Sequence, residues 1–447
     1  YLVDVSFPAL TSAKDIELVL HDELTNLSFP VLATADSLLI TYPSVPSFAF
    51  PALTSVTGRI YISSSEADIS FPALVTAGAL RAQSLFGTLD FPSLTTITGV
   101  EDGDSVDGIL VEYHVPSSMS LPVLTSLGGD LVLDGASGEG TFSAPALTTI
   151  GGAFEVDDVD HTAITLGALA TVGKSFTLES ANDIKEANFG ALTTVGGDVR
   201  VRNNSKLLRL NLGALTATPG RFDVSNNFEL TELTITSLAS VVHDFEIEDL
   251  NSLKILTAPA LKTVGSFRVQ GNDDLRSATF PALTDVLENK ESSDTGLRIS
   301  QNPNLIVLDI SKLTSVAGDF DLRSNDDLRE VALAALTTVT GNAFLESWNF
   351  DQRPLPALVT VGESLFLAYN DKIVLPALKT VGETFELLDS SVTTASLGLT
   401  TVGSMHIHEN TLLTDLSLAA LTSIEDDIEV EENSVLVNLT FTTLATV

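Results

Sequence analysis

The stretch Phe7-Pro8-Ala9-Leu10-Thr11-Ser12 decides the fold, because it returns along the whole chain. It recurs almost unchanged at residues 50–55 and 280–285. With its leucine as an anchor, the chain of 447 residues contains 20 anchors, and 17 of the 19 spacings between them are 20–23 residues. The anchors are Leu10, Leu32, Leu53, Leu74, Leu94, Leu124, Leu147, Leu169, Leu192, Leu215, Leu238, Leu261, Leu283, Leu313, Leu336, Leu358, Leu378, Leu399, Leu421 and Leu444. A repeat of this period predicts a solenoid of about 20 coils that spans residues 1–447 as one continuous domain.

Within each repeat, the residue pattern predicts β structure. Eleven of the 17 prolines lie two residues before an anchor. Because proline has no N–H for a sheet ladder, this phase is predicted to be a corner. The anchor Leu192 and the next apolar residue, Val195, are three apart. That spacing does not fit strand alternation and predicts a bend, after which Gly196 permits a turn. Phe222 and Val224 alternate with polar residues and predict a short strand.

Two spacings of 30 residues indicate insertions, which we place at 100–115 and 287–296. The first insertion carries Asp102, Asp104 and Asp107 among glycines. Carboxylate oxygens in such a loop are suitable ligands for a hard cation, so these three residues are a candidate calcium site. A solvated acidic loop without an ion is the alternative. The acidic runs at 157–160 and 425–427 are further candidates.

Two polar columns recur at fixed phases. The first is an asparagine shortly after the predicted strand, at Asn204, Asn227, Asn272, Asn302, Asn325, Asn349, Asn370, Asn410 and Asn433. Its amide is predicted to satisfy turn backbone groups of its own and adjacent coils as a structural ladder; a row of ligand contacts is the alternative. The second column is a Ser or Thr two residues after the anchor, as at Thr96, Thr149, Thr194 and Thr338. Capping of the bend is its predicted role. An ice-binding threonine array is the alternative, against which the predicted bend argues.

These residues carry a family likeness. The unit Leu-x-Leu-x-x-Leu-x-x-Val-x-Gly-x-Phe-x-Val-x-x-Asn-x-x-Leu, clearest from Val195 to Leu436, resembles the receptor L-domain type of leucine-rich repeat. It is similar to the ligand-binding lobes of insulin and epidermal growth factor receptors and to fungal GPI-anchored cell-wall proteins of the sporulation-specific family. The resemblance implies a right-handed, single-stranded β-solenoid at an extracellular or cell-surface location. Since this chain has no cysteine and many more coils than one L domain, receptor function does not transfer.

Composition excludes several classes of protein. The 44% of apolar residues exclude a disordered chain. With 59 acidic against 22 basic residues, the net charge is −37, which argues against nucleic acid or anionic lipid as a partner. No apolar run is long enough to insert into a membrane. The absence of cysteine from the sequence excludes disulfides, thiolate zinc sites and iron–sulfur clusters.

Basic residues are concentrated in the middle of the chain, where nine of the 12 arginines lie between Arg200 and Arg329. On successive coils, the position between the two strand residues is predicted to face outward. It is occupied by Arg200, Asp223, Glu246, Arg268, Arg298 and Asp321. A solvated face with ion pairs between coils is one interpretation. The alternative is a stripe that binds a partner, such as the acidic end of another copy.

Catalytic motifs are not found, and we predict that the protein is not an enzyme. The segment Gly167 to Ser175 imitates a phosphate loop, but its glycines have the wrong spacing. Among the abundant carboxylates, no pair is marked as that of a glycosidase. His406 and His408 flank Ile407 and are predicted to share a face, which could bind a transition metal; an exposed pair without metal is the alternative. Asn26, Asn203 and Asn438 lie in glycosylation sequences, with Asn203 expected to point outward.

The leading functional hypothesis is a non-enzymatic extracellular structural or adhesive repeat protein, a subunit or segment of a cell-surface filament, sheath or wall. Neither end of the sequence shows a polar capping coil, so we expect self-association through the solenoid ends or faces. One alternative is a receptor-like module that binds a glycan or another surface protein through the middle coils. Another is an ice-binding protein. No cofactor is certain from the sequence, and calcium is the one that the acidic loop suggests.

Overall fold

The computed structural model describes residues 3–19, 24–41, 45–100, 108–114, 116–137, 140–290, 295–346, 355–370, 373 and 375–447, apart from the side chains of 64–65 and 136–137. It has two compact units, each described here by itself. Unit 1 comprises Tyr1–Pro219 and Asn226–Thr234, and unit 2 comprises Gly220–Ser225 and Ile235–Val447. Within the described ranges every element is a strand, so no helix there has the length and apolarity to cross a membrane.

Parallel strands stack coil upon coil in both units, which together contain about 18 turns of β-solenoid. The predicted all-β solenoid is therefore confirmed, with slightly fewer turns than the 20 anchors predicted. Its right-handedness stays a prediction.

The strands of unit 1 are β1 (Asp4–Ser6), β2 (Ser12–Val19), β3 (Asn26–Ser28), β4 (Thr34–Thr41), β5 (Ser47–Ala49), β6 (Ser55–Ser65), β7 (Asp68–Ser70), β8 (Thr76–Leu85), β9 (Thr88–Asp90), β10 (Thr96–Ile97), β11 (Ile109–His114), β12 (Ser118–Ser120), β13 (Ser126–Leu127), β14 (Leu131–Ser137), β15 (Thr141–Ser143), β16 (Thr149–Ile150), β17 (Phe154–Asp157), β18 (Ala163–Thr165), β19 (Thr171–Val172), β20 (Phe176–Glu179), β21 (Glu186–Asn188), β22 (Thr194–Val195), β23 (Val199–Arg202), β24 (Arg209–Asn211) and β25 (Ala217–Thr218), followed after β26 by β27 (Glu232–Thr234).

The strands of unit 2 are β26 (Phe222–Ser225), β28 (Ser240–Glu248), β29 (Ile255–Thr257), β30 (Thr263–Gln270), β31 (Ser277–Thr279), β32 (Asp285–Val286), β33 (Gly296–Ser300), β34 (Val307–Asp309), β35 (Ser315–Val316), β36 (Asp319–Asp321), β37 (Glu330–Ala332), β38 (Thr338–Val339), β39 (Ala343–Glu346), β40 (Thr360–Val361), β41 (Leu365–Ala368), β42 (Thr380–Leu388), β43 (Thr394–Ser396), β44 (Thr401–His408), β45 (Asp415–Ser417), β46 (Ser423–Ile424), β47 (Ile428–Glu431) and β48 (Asn438–Thr440).

Each coil runs through three strand positions, as the coil of Leu192 shows. The three-residue strand β21 leads into a turn, which the Leu192 N–H closes by donating to the Phe189 carbonyl oxygen at 2.9 Å. The two-residue strand β22 and the longer strand β23 follow. The repeated prolines occupy the equivalent turn, as at Pro51, because a turn position does not need their missing N–H.

The threonine phase is a strand, contrary to the sequence prediction. The predicted bend lies at the anchor itself, and a parallel strand begins two residues later. Thr194 of β22 pairs with Thr171 of β19, and Thr149 of β16 pairs with Ser126 of β13. The prediction of a bend instead of a strand for this column was therefore wrong, because a leucine that leaves a turn can face the core without belonging to the strand that follows.

Part of each predicted insertion also belongs to the stacked sheets. Ile109–His114, within the range 100–115, forms β11, which pairs with β8 on one side and β14 on the other. Gly296, the last residue of the range 287–296, begins β33. Residues 101–107 and 291–294 lie outside the described residues.

Phenylalanine columns form much of the core. In unit 1, Phe29, Phe50, Phe71 and Phe91 are buried and stack at centroid distances of 5.0–5.3 Å. Burying one such side chain contributes about 1.5–3 kcal/mol, and a well-placed aromatic pair adds about 0.5–1.5 kcal/mol. The phenylalanine of the repeated phrase therefore serves to bind each coil to the next.

The recurring glycine after the short strand is needed for close approach between coils. A Cβ on Gly173 would lie 2.1 Å from the carbonyl oxygen of Gly151, and one on Gly196 would lie 2.0 Å from that of Gly173. No side chain fits at such distances. Gly196 lies in the bend between β22 and β23, as the sequence predicted, and the neighbouring backbone also excludes a side chain there.

A left-handed residue follows the long strand in most coils. Positive φ angles occur at Ser84, Tyr113, Gly135, Asp158, Ser180, Asn203, Asn226, Asp249, Gly271, Gln301, Ser324, Tyr369, Asp389, Glu409 and Glu432. An L-residue in this conformation costs roughly 1 kcal/mol. Two of these positions carry glycine and five carry Asn or Asp, so residue type gave only a partial signal for them.

Replacing Glu409, which is exposed with φ of 57°, by glycine is expected to stabilise unit 2 by about 0.5–1 kcal/mol. The Glu409→Val variant should be destabilised, because a β-branched side chain is strained there. The free energy of unfolding of each variant is measured by urea denaturation, monitored by circular dichroism. A Glu409→Gly variant less stable than the parent would contradict the assignment of strain.

Candidate functional site

The asparagine column lies buried in the turn after the long strands, where it bonds neighbouring coils together. The Asn302 Nδ2 donates to the carbonyl oxygens of Val269, one coil earlier, at 3.0 Å and of Ser300 at 2.9 Å. Its Oδ1 accepts from the Asn272 N–H at 3.1 Å. Buried members of the column are Asn204, Asn227, Asn272, Asn302, Asn325, Asn370 and Asn410; Asn433 is half-buried, and Asn349 lies outside the described residues.

Coils without asparagine at this phase still take part in the column. The Ser390 Oγ accepts from the Asn370 N–H at 3.2 Å, and the Ser390 N–H donates to Asn410 Oδ1 at 3.0 Å. The Leu250 N–H likewise donates to Asn272 Oδ1 at 3.0 Å. At this phase of the repeat, the backbone N–H of one coil therefore donates to a side-chain oxygen that the next coil supplies.

Threonine hydroxyls add a second bond between coils, at the residue directly after the anchor. The Thr148 Oγ1 donates to the Thr125 carbonyl oxygen at 2.9 Å. The Thr337 Oγ1 donates to the Thr314 carbonyl oxygen at 3.0 Å. These hydroxyls therefore bond the preceding coil.

The charged column predicted to face outward lies along the long strands. In unit 2, Glu246 pairs in register with Arg268, Arg268 with Arg298, and Arg298 with Asp321. The Arg268 Nη1 lies 3.4 Å from Glu246 Oε1, and its Nε lies 3.4 Å from Glu248 Oε1. In unit 1, Arg200 forms an ion pair with Asp198. The structure thus places ion pairs within and between coils along this column.

Two of the six predicted face residues are buried, which corrects the prediction for them. Asp223 and Asp321 are 1% and 2% exposed. The Arg298 Nε lies 3.4 Å from Asp321 Oδ2 and the Arg323 Nη2 lies 2.8 Å from it, so two longer side chains cover a short one. Asp223 accepts from the Ser225 Oγ at 2.8 Å. A binding stripe here would present the partly exposed arginines and not these aspartates.

Beside Asp321 lies a polar groove of about 410 Å³. Its lining residues are Gln270, Arg298, Ser300, Gln301, Asp321, Arg323, Ser324 and Glu346. The Arg323 guanidinium carbon lies 4.2 Å from the centroid of the Phe344 ring, and that ring stacks on Phe366 at 4.9 Å. Both rings are half-buried. Planar cationic and aromatic groups beside a groove can hold a flat polar ligand.

Sequence reasoning missed this aromatic pair, although a signal existed. Phe344 is the register partner of Asp321, and Phe366 is the register partner of Phe344. They therefore occupy the same outward column that carries charge in the preceding coils. Aromatic residues at this outward position differ from the charged residues of the preceding coils, and that difference was a signal that the surface changes there.

Carboxylates are concentrated on the long sheet of unit 1. Asp134 of β14 pairs with Asp157 of β17, which pairs with Glu179 of β20. Partial burial, then repulsion from Glu179 and Asp134, raises the pKa of Asp157 above its ordinary value. Partial burial, then repulsion from Asp134 and Asp157, likewise raises the pKa of Glu155. The like charges cost stability at neutral pH.

The predicted calcium residues Asp102, Asp104 and Asp107 lie outside the described residues. Within the described part of the chain, three potential ligand atoms approach within 4.8 Å of one another at one place, formed by His406, His408 and Glu429. The acidic runs at 157–160 and 425–427 do not form such a group.

All three glycosylation sequences place their asparagine on the surface. Asn26, Asn203 and Asn438 are exposed. In each, the Nδ2 donates to a carboxylate of the preceding coil: Asn26 to Asp4 at 2.9 Å, Asn203 to Glu179 at 3.0 Å, and Asn438 to Asp415. A glycan at these positions would replace those hydrogen bonds.

Comparison with known proteins identifies no family for this chain. No protein-family model matches this sequence, and no curated protein matches it. Among solved structures, a chain from the crystal structure of a TLR13–ssRNA13 complex is similar over 85% of this chain and 83% of its own, with 11% identity and a TM-score of 0.17. At that TM-score the similarity carries no argument.

The buried asparagine column can be tested at Asn302. The Asn302→Ala variant should lose about 2–4 kcal/mol of stability, because buried backbone groups on two coils lose their partners. Asn302→Ser should lose less, since a serine fills the same phase at Ser390. Denaturant unfolding measures both variants. Asn304→Ala, at an exposed asparagine with one hydrogen bond between coils, is the control and should change stability by about 0.5 kcal/mol or less; equal losses at 302 and 304 would contradict the assigned role.

The acidic surface of unit 1 predicts a pH-dependent effect of Asp157→Asn. Because the folded-state pKa of Asp157 is raised, its contribution to stability falls as pH rises from the ordinary value of 3.8 through the folded value. At pH 7 the variant should therefore be more stable than the parent, by less than about 1 kcal/mol because solvent screens the charges. The difference should vanish below that window in a series of thermal melts.

Asp68→Asn is the control, because its expected change in stability at pH 7 has the opposite sign. Hydrogen bonds from the Thr88 hydroxyl and N–H lower the pKa of Asp68. Its removal should reduce stability at pH 7 and have no effect at pH values below its folded-state pKa. If both substitutions changed stability at pH 7 in the same direction, the electrostatic explanation would be contradicted.

Proposed function

We propose that this protein is a non-enzymatic structural or adhesive repeat protein of an extracellular surface, acting as a subunit or segment of a filament, sheath or wall. The observation that carries the proposal is that polar side chains at several phases of the repeat bond to the neighbouring coil. Asn302, Thr337 and Arg298 each do so at a different phase. Side chains of this kind hold a long stack together and are suited to a mechanical role.

An extracellular or cell-surface location fits the same proposal. The three potential glycan acceptors are all exposed, although they lie in separate parts of the chain. The absence of cysteine from the sequence makes the fold independent of the redox state of its surroundings. Cohesion between coils replaces the disulfides that many secreted proteins use.

Self-association through coil faces is the proposed mode of assembly. Val242 and Leu287 of unit 2 lie at the same phase of the repeat, four residues after their anchors, and are 59% and 50% exposed. Apolar side chains exposed at one phase form a face that a second copy would cover.

A second candidate function is recognition of a glycan or another surface protein by unit 2. The specific observation is the polar groove of about 410 Å³ beside the Phe344 and Phe366 rings. Against it, the charges that line the groove are largely paired with one another, as in the contact of Arg323 with Asp321 at 2.8 Å. A ligand would have to compete with those ion pairs.

The test is electron microscopy of native material combined with sizing of the purified chain, in calcium and in chelator. We expect end-to-end stacks or filaments, and dissociation in chelator if acidic loops bridge the copies. Leu287→Lys should weaken association at least tenfold by placing charge on that face. Leu412→Lys is the matched control, at an equally exposed leucine of another phase, and should associate as the parent does.

A monodisperse monomer at micromolar concentration in both buffers would overturn self-association. Binding of a surface glycan or protein by that monomer, lost in Arg298→Glu, would then favour the second candidate. Thermal hysteresis would instead favour the ice-binding alternative, for which the structure offers threonines in register on short parallel strands, such as Thr338 and Thr360.

A further inference from the structure

Two histidines and a carboxylate form a compact group on the long sheet of unit 2. His406 and His408 lie on β44, where their spacing of two places both side chains on the outward face. Their register partners on β47 are Glu429 and Glu431. One potential ligand atom from each of His406, His408 and Glu429 lies within 4.8 Å of the other two.

The imidazole nitrogens approach carboxylates at distances longer than good hydrogen bonds. The His406 Nε2 lies 3.4 Å from Asp427 Oδ1, and the His408 Nε2 lies 3.8 Å from Glu429 Oε2. A hydrogen bond between such groups is usually about 2.7–3.2 Å long. The His406 Nε2 is shielded from solvent and has no hydrogen-bond partner among the described residues.

Those distances suit a shared metal ion. Zinc binds imidazole nitrogen at about 2.0–2.1 Å and carboxylate oxygen at about 2.0–2.2 Å in tetrahedral sites. Two ligand atoms on one tetrahedral ion are therefore about 3.3–3.5 Å apart. Within the group, the distance of 3.8 Å between His408 Nε2 and Glu429 Oε2 comes close to that value, and all three ligand atoms lie within 4.8 Å of one another.

We propose that His406, His408 and Glu429 bind a divalent transition-metal ion of the zinc class. Two imidazole donors favour such an ion over calcium or magnesium, which prefer oxygen ligands alone. Glu386 of β42 faces His406 from the other side, and Glu409 follows His408, so the local field attracts cations.

The ion would act as a clasp between two coils. Both histidines belong to the coil of β44, whereas Glu429 belongs to the coil of β47. An ion bound only when the two coils are docked stabilises the docked state by mass action.

Binding is tested with Co²⁺ absorption and Zn²⁺ calorimetry on the full chain, in millimolar calcium and magnesium to occupy ordinary carboxylate sites. We expect one Zn²⁺ per chain and visible Co²⁺ bands of a tetrahedral site. His406→Ala, His408→Ala and Glu429→Gln should each weaken Zn²⁺ binding at least tenfold. His243→Ala, which removes an imidazole elsewhere in unit 2, should bind as the parent does.

The clasp is tested by hydrogen exchange of residues 425–447 with and without Zn²⁺. Slower exchange there, absent in the isosteric Glu429→Gln variant, is the expected result. Zn²⁺ binding that calcium displaces, or that survives both histidine substitutions, would overturn the site. Zn²⁺ binding with unchanged exchange would overturn the clasp. Neither result depends on whether the protein assembles into filaments.

Discussion

Neighbouring coils lie one strand spacing apart, about 4.8 Å, and this constraint determines the rest of the structure. At that distance a polar group turned inward must find its partner in the coil before or after its own. The Asn302 amide does so by bonding Val269 and Asn272 of the preceding coil. The glycine column obeys the same constraint in another way, since the carbonyl of Gly151 leaves no room for a side chain on Gly173.

The same constraint determines how the outward surface can be used. Short carboxylates such as Asp321 become buried under arginines of their own and neighbouring coils, since successive coils place long side chains within reach. Charges that are paired in this way support cohesion more than recognition. The proposed ligand sites lie where aromatic residues or histidines replace the paired charges of this column, at Phe344 and Phe366 and at His406 and His408.

Periodicity made some features of the fold predictable and concealed others. The phenylalanine of the repeated phrase and the buried asparagine column follow from residue type at a fixed phase. The left-handed residue was only partly predictable, because Tyr369 and Glu409 give no sign of positive φ. The strand at Thr194 was missed because the spacing of Leu192 and Val195 was assigned to a single element. In the candidate site, the outward position of Arg298 was predictable and the burial of Asp321 was not, since burial depends on which side chains of adjacent coils lie over it.

The sequence by itself determined the repeat, its all-β character and the phases at which leucine, phenylalanine and asparagine face inward, because these depend on order along one chain. The tertiary structure alone decided which side chains meet between coils. The pairing of Arg298 with Asp321 and the approach of Glu429 to His408 join residues about one coil apart in sequence. Such contacts depend on the register of stacked strands, and register is set by the packing of whole coils and not by any one of them.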